Sequence, residues 1–345
     1  MSSLSRRAVL KSIGLIGFAL TPLQQVAAYA QQTSQPVFPK HWNGEPLGRI
    51  ASKYQNARSE PNLQGDIVTS LNEFDVVRVR RAVEGQYVYL NNNLWLETAQ
   101  GYLYSSFVQP MQYYLPQIPP ADLGQGMWTE VIVPYSDAYW DPDPVPEKLV
   151  SRQIYSAVFF VSQLVTGTDG KQWYKVDELY QSYYMRATHL RIIRPDEMTP
   201  ISTDVDRSDK RIEVDLTNQT LIAYERDTPV FAQLVSSGVP DHPTPTGKFF
   251  VDDKRPGTRM IGGAGDDDHY NLPGVPFVCY FTEGFAATHG CYWHNDYGNV
   301  RSHGCVNVTP AAARWIWRWT NPVADYHSQY VHPDTGYDRT MILVQ

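Results

Sequence analysis

The chain is poor in cysteine, has no excess of positive charge and contains no long apolar run. Three cysteines, Cys279, Cys291 and Cys305, stand among 345 residues. A small odd number gives no disulfide framework and leaves at least one thiol over. All three fall in the last third of the chain, which favours a reactive centre over a scaffold. A bond between Cys291 and Cys305 is one reading of that pair, and a buried, inert Cys291 is the other. Lys and Arg total 29 against 36 Asp and Glu, for a formal charge of −7. This balance argues against a nucleic acid partner, whose phosphates call for a basic surface. The longest weakly apolar stretch runs from Ile13 to Leu20, short of the roughly 20 residues that a membrane-spanning helix needs.

What is abundant points to β structure. The chain holds 23 Tyr, 9 Trp, 25 Pro and 23 Gly, a composition that favours short strands and turns over helices. Its length allows two or three domains. Residues 1–30 read as an export signal: Arg6-Arg7 with Val9-Leu10-Lys11, the short apolar run, then Ala28-Tyr29-Ala30 as a small-residue cleavage site. The paired arginines resemble a twin-arginine signal, with an uncleaved anchor as the alternative. Cleavage removes Arg6, Arg7 and Lys11 and no acid, so the exported form is more acidic still. Export places the protein in the cell envelope or periplasm.

Residues 31–46 are polar and contain proline, the pattern of a tether. Residues 47–112 then carry short runs with apolar Val76, Val79 and Val83 between turn residues. With Asn56 to Pro61 opening the segment and Trp95 and Gly101-Tyr102 closing it, this stretch resembles a bacterial SH3-like barrel. After a spacer at 115–126, residues 127–195 repeat the design, Val158 to Val161 forming an apolar strand and Gly170 to Val176 mirroring the Trp95 segment. Tyr87, Tyr89, Tyr102, Tyr104, Tyr183 and Tyr184 either line a wall-peptide groove or fill the small cores. Residues 195–209 form a charged, strandless link. A third domain, 210–345, opens on a hairpin with Ile212, Val214 and Leu216 before an Asn218-Gln219 turn and Leu221 and Ala223 after it. Thr309-Pro310 predicts a helix start, with Trp315, Ile316 and Trp319 as the buried stripe to about Thr320. Met341 to Val344 predict a closing strand.

The chemistry concentrates in HGCYWHNDYGNVRSHGCVN, His289 to Asn307. A thiol attacks as thiolate, and an unassisted one is only about 3% ionised at neutral pH. Cys305 therefore needs a base, and His289, sixteen positions earlier, is the candidate. Gly304 permits a tight turn beside the nucleophile. His289, His294, His303 and Cys305 crowd together but lack a recognisable zinc spacing. A papain-like wall endopeptidase would place cysteine before histidine, the reverse of this order.

His289-Gly290 and Ser302-His303-Gly304-Cys305-Val306-Asn307 resemble the signature of the L,D-transpeptidase (YkuD-type) catalytic domain. Thr244-Pro245-Thr246-Gly247 extends the resemblance, which covers roughly residues 210 to 345. It implies a β-sandwich-like catalytic domain with one helix, which with the two small SH3-like barrels before it makes a mainly β protein. It also implies roles. Cys305 is the nucleophile and His289 the base, with the Gly290 carbonyl fixing its tautomer and His303 in support. The amides of Gly304 and Cys305 form an oxyanion hole. Ser302, Asn307, Tyr270, His294 and Trp293 border the substrate, Tyr270 from a lid next to the acidic stretch Asp266 to Asp268. The implied substrates are peptidoglycan stem peptides of the cell wall, cross-linked with release of D-alanine, with carbapenem-type inhibitors and with no metal or other cofactor. L,D-carboxypeptidase activity and a non-catalytic wall-binding role are the alternatives.

Overall fold

The computed structural model describes residues 46–178, 181–263, 265, 268–283, 286–332 and 339–345. The export signal and all but the last residue of the tether lie outside the described residues, as do Asp266 and Asp267.

The first two modules are each one curled seven-stranded sheet. The first uses Leu47–Ile50, Tyr54–Arg58, Ile67–Asn72, Val76–Tyr89, Asn92–Thr98, Tyr102–Tyr104 and Val108–Met111. The second uses Met127–Val131, Tyr135–Tyr139, Leu149–Ile154, Val158–Thr166, Gln172–Glu178, Gln181–Arg186 and Leu190–Ile192. Numbered within its own module, each sheet has the same spatial order, third, second, sixth, fifth, fourth, first, seventh. A 3₁₀ turn precedes the last strand in both, at Ser105–Phe107 and Ala187–His189. Trp95 and Trp173 occupy equivalent fifth strands, each 1% exposed. A glycine lies against each indole: a Cβ on Gly85 would stand 2.6 Å from Cδ1 of Trp95, and one on Gly167 would stand 2.7 Å from Cδ1 of Trp173. One packing solution is therefore used twice.

The strand phase in the first module corrects the sequence reading. Val76 is exposed, whereas Val77 and Val79 point into the core with Ile50, Leu96 and Leu103. Arg78 and Arg80 occupy the alternate positions, so Val79 points inward as expected while Val77 takes the place expected of Val76. Of the six groove tyrosines, Tyr104 and Tyr183 are buried and Tyr87 alone is fully exposed. Core filling accounts for the two buried ones.

The third domain has two sheets and a helix. Strands β1 (Lys210–Asp215), β2 (Thr220–Glu225), β3 (Thr228–Leu234), β4 (Gly247–Phe250) and β9 (Met341–Val344) form the first, in the order β3-β2-β1-β9-β4. The second runs in chain order through β5 (Asp253–Gly262), β6 (Tyr270–Tyr280), β7 (Ala287–Gly290) and β8 (Val306–Val308). Alternation in the opening hairpin buries Ile212, Val214, Leu221 and Ala223 completely. Helix α1 (Pro310–Trp319) starts where Thr309 accepts a hydrogen bond from the Ala312 amide at 3.2 Å. Its buried face carries Ala313, Ile316, Trp317 and Trp319. Trp317 was not expected there. Trp315 is only partly covered and stacks on Phe231, ring centroids 4.3 Å apart.

The second module and the third domain share a core. Val158, Phe160 and Trp128 pack in one cluster with Val306, Phe277 and Ile316. Glycine makes that approach possible: a Cβ on Gly257 would lie 2.3 Å from the Val158 carbonyl oxygen, and one on Gly274 would lie 2.4 Å from the Phe159 ring.

Candidate active site

Strands β7 and β8 run parallel, with Thr288 opposite Val306 and His289 opposite Asn307. Cys305 lies in the bend just before β8 and packs against the cluster that holds Ala287. Ala287 and His289 are two positions apart on β7 and share its face. Packing thus brings the two ends of the motif to one surface.

His289 is 2% exposed, and its Nδ1 lies 3.1 Å from the Gly290 carbonyl oxygen. A carbonyl only accepts, so Nδ1 carries the proton and Nε2 presents its lone pair. Burial pulls the imidazole down to about 4, against the opposing pull of the Gly290 carbonyl. Gly290 is required by packing: a Cβ there would meet Pro276 Cγ at 2.6 Å and Pro310 Cα at 3.0 Å. The Trp293 ring covers the imidazole, 5.7 Å between centroids.

Cys305 is partly buried in an apolar pocket with Met260, Val275, Tyr270, Tyr280 and Trp293. Burial raises its thiol to about 11, with a backbone hydrogen bond at Ala287 pulling the other way. The resting pair is therefore neutral, thiol and imidazole rather than thiolate and imidazolium. Cys279 and Cys291 are also free thiols, both buried. Cys291 forms no bond with Cys305, and burial pushes it up to about 12.

The turn before the nucleophile needs glycine, since Gly304 has φ of +107°. Its amide differs from the oxyanion-hole expectation. It donates to Ser302 Oγ at 3.2 Å, and Ser302 Oγ in turn donates to the Cys305 carbonyl at 2.5 Å. Ser302, 6% exposed, thus braces the turn. His303 points outward, its Nε2 2.7 Å from Asp268 Oδ1. Tyr270 lies 5.0 Å from the His303 ring and close enough to Cys305 for the thiolate to raise its pKa, after burial as the larger cause.

Asn307 and His294 form a buried network behind the site. The Asp296 amide donates to His294 Nδ1 at 3.1 Å, and the Asn307 carboxamide lies 3.0 Å from Nε2. With Nδ1 already an acceptor, Nε2 keeps the proton and the carboxamide must offer its oxygen. Burial holds this imidazole down at about 3. Both ring nitrogens of His294 are thus engaged by protein.

Sequence reasoning missed the groups that hold the loop. Asp296, fully buried, accepts from Ser106 Oγ at 2.6 Å, from Asn299 at 3.0 Å and from Arg301 Nε at 2.6 Å. Arg49, also fully buried, donates to the Tyr292 carbonyl at 2.6 Å and to Gln109 Oε1 at 2.6 and 2.9 Å. The Arg301 guanidinium sits 4.2 Å from the Tyr89 ring centre. The acid and the arginine inside the motif were a visible signal for part of this network; their partners in the first module were not.

His289, His294, His303 and Cys305 do not gather as a ligand set. Among the described residues the one group of three or more metal-ligating side chains is His242, Asp268 and His303.

A mainly β protein with a carbonyl-oriented imidazole on one strand and a thiol in the turn that leads into the parallel strand beside it is the class defined so far. Residues 209–335 match the family model YkuD, the L,D-transpeptidase catalytic domain, and that segment is a domain of this kind. Among solved structures, the chain is similar to an Enterococcus faecium L,D-transpeptidase (25% identity over 40% of this chain and 50% of that one, TM-score 0.32). It is similar also to the catalytic domain of the E. faecium enzyme acylated by ertapenem (26%, 40% and 97%, TM-score 0.30). An L,D-transpeptidase from Mycobacterium smegmatis aligns over 78% of this chain and 99% of its own at 16% identity, TM-score 0.33. The first of these matches spans half of the E. faecium protein. No curated protein matches the chain.

Proposed function

We propose that the protein is an exported L,D-transpeptidase that cross-links peptidoglycan stem peptides through a thioester on Cys305. The observation that carries this reading is the His289 tautomer, with Nδ1 tied to Gly290 and Nε2 left for a proton on the strand face where Ala287 packs with Cys305. Cys305 attacks the carbonyl of the stem's third residue while its proton passes to His289 Nε2. The carbon–nitrogen bond to the terminal D-alanine then breaks, and His289 returns the proton to the departing amine. The side-chain amine of a second stem attacks the thioester, loses a proton to His289 and displaces the Cys305 thiol, which takes that proton back. The apolar pocket of Trp293, Tyr270 and Met260 slows water and so favours the amine.

The two repeated modules, read as SH3-like, hold the enzyme on the wall. Purified protein with a disaccharide-tetrapeptide should yield cross-linked dimers and free D-alanine. Tripeptide as the sole product would replace transfer by L,D-carboxypeptidase activity, and no product with intact binding to sacculi would leave a wall-binding protein.

A further inference from the structure

We propose that His242, Asp268 and His303 form a binding site for a divalent d-block cation of the zinc type at the lip of the active site. The three residues come from separate segments: the loop between β3 and β4, the loop between β5 and β6, and the turn that carries the nucleophile. His303 Nε2 lies 2.7 Å from Asp268 Oδ1 and His242 Nε2 lies 3.3 Å from Asp268 Oδ2. All three ligand atoms fall within 4.8 Å of one another. The two imidazoles lie 4.7 Å apart and 32° from parallel, both aimed at the same carboxylate.

A tetrahedral zinc with bonds of about 2.0–2.1 Å sets its ligand atoms about 3.3 Å apart. His242 and Asp268 already have that spacing. His303 faces the other oxygen, Oδ1, so the carboxylate or the His303 ring has to turn for both imidazoles to share one oxygen with the cation, and the imidazoles have to converge, movements that side chains between 29% and 37% exposed can make. Two imidazole nitrogens and one carboxylate oxygen suit zinc, and three protein ligands leave a fourth position to water. Binding displaces the Nε2 protons that otherwise serve the Asp268 hydrogen bonds.

The consequence comes from where the ligands are anchored. His303 and Cys305 share one turn, and the absent Gly304 side chain leaves that turn facing the backbone oxygens of Pro243 and His242, 3.6 and 3.9 Å from where a Cβ would stand. A bound cation ties these loops together over the thiol. Access of an acyl donor then falls, a consequence that rests on the function proposed above.

Isothermal titration of chelator-treated full-length protein with Zn²⁺ tests the site directly. One ion per chain is expected, retained in Cys305→Ser and weakened at least about tenfold in both His242→Ala and Asp268→Asn, since even losing an outer partner costs that much. Absence of binding overturns the proposal, as does binding that survives His242→Ala and Asp268→Asn or disappears in Cys305→Ser. Zinc should slow carbapenem acylation of wild type and leave His242→Ala unaffected. Equal inhibition of both assigns the effect to the thiol and overturns the gating claim. Acylation of the zinc-free protein reports the proposed function separately, and normal acylation of zinc-free His242→Ala shows that the variant is folded.

Discussion

Acylation of Cys305 should be nearly independent of pH across the whole interval between about 4 and about 11. The perturbation is pH itself. A thiol at about 11 is ionised in roughly one molecule in 10⁴ at pH 7, a cost of about 5 kcal/mol at 1.36 kcal/mol per unit. An ordinary thiol near 8.5 requires only about 2 kcal/mol. Free thiolate is thus too scarce to be the working species, and the proton must leave with the attack, accepted by neutral His289. That base is available at every pH above about 4 and is lost as acid protonates it. The assay is the rate constant for covalent attachment of a carbapenem, followed by mass spectrometry from acid to alkaline pH. Thiolate absorbance, taken as the difference from Cys305→Ser, gives an independent readout and should be negligible at pH 7. A rate that climbs tenfold per unit through neutrality, or one equivalent of thiolate already present at pH 7, would refute the neutral-pair argument.

Replacing Arg49 by Met removes a buried cation and leaves the Tyr292 carbonyl and Gln109 without their donor. Destabilisation of about 1–3 kcal/mol for each acceptor left unsatisfied is expected, read by denaturant unfolding, with slower carbapenem acylation in the folded fraction. Stability should also fall in acid on account of His289. Its folded value near 4 lies below the unfolded 6.5, so the unfolded chain binds the proton first and stability drops as pH falls from about 6.5 to 4. The full effect is about 3 kcal/mol, with His294 acting in the same direction; unfolding measured against pH should show the step, reduced in His289→Asn. Gly304→Ala meets only ordinary contacts, at 3.6 and 3.9 Å, but a φ of +107°, so it should cost about 1–3 kcal/mol of backbone strain. Because the turn carries the nucleophile, kcat should suffer more than KM in a stem-peptide assay.

The parts of this molecule that were legible in its sequence are those encoded locally. The hairpin at Ile212 to Ala223, the helix behind Thr309-Pro310 and the strand at Met341 each follow from alternation or capping within a dozen residues. Cys305 and His289 were found by spacing, and packing then set Cys305 against Ala287, two positions before His289 on the same strand. Where a segment reads equally well in two phases, as at Val76-Val77, only tertiary packing decides, and it chose Val77. His294 looked like a loop residue because the Asp296 amide and Asn307 that engage it are assembled by folding. The repeat was hinted at by Trp95 and Trp173, but the identical strand order and the glycine beneath each indole belong to three dimensions. Arg49 and His242 gave no local signal, since their partners lie far along the chain.

Tyr292 stands three residues past the base, yet it is buried in the core of the second module and donates to the Pro273 carbonyl at 2.6 Å. Its neighbour Trp293 packs both against that core and against the cluster on which Cys305 rests. A truncated version beginning near residue 210 would keep every residue of the motif and lose the socket that seats this pair. Work on such a fragment would measure a loosened machine, and any ranking of inhibitors obtained with it would need repeating on the intact polypeptide.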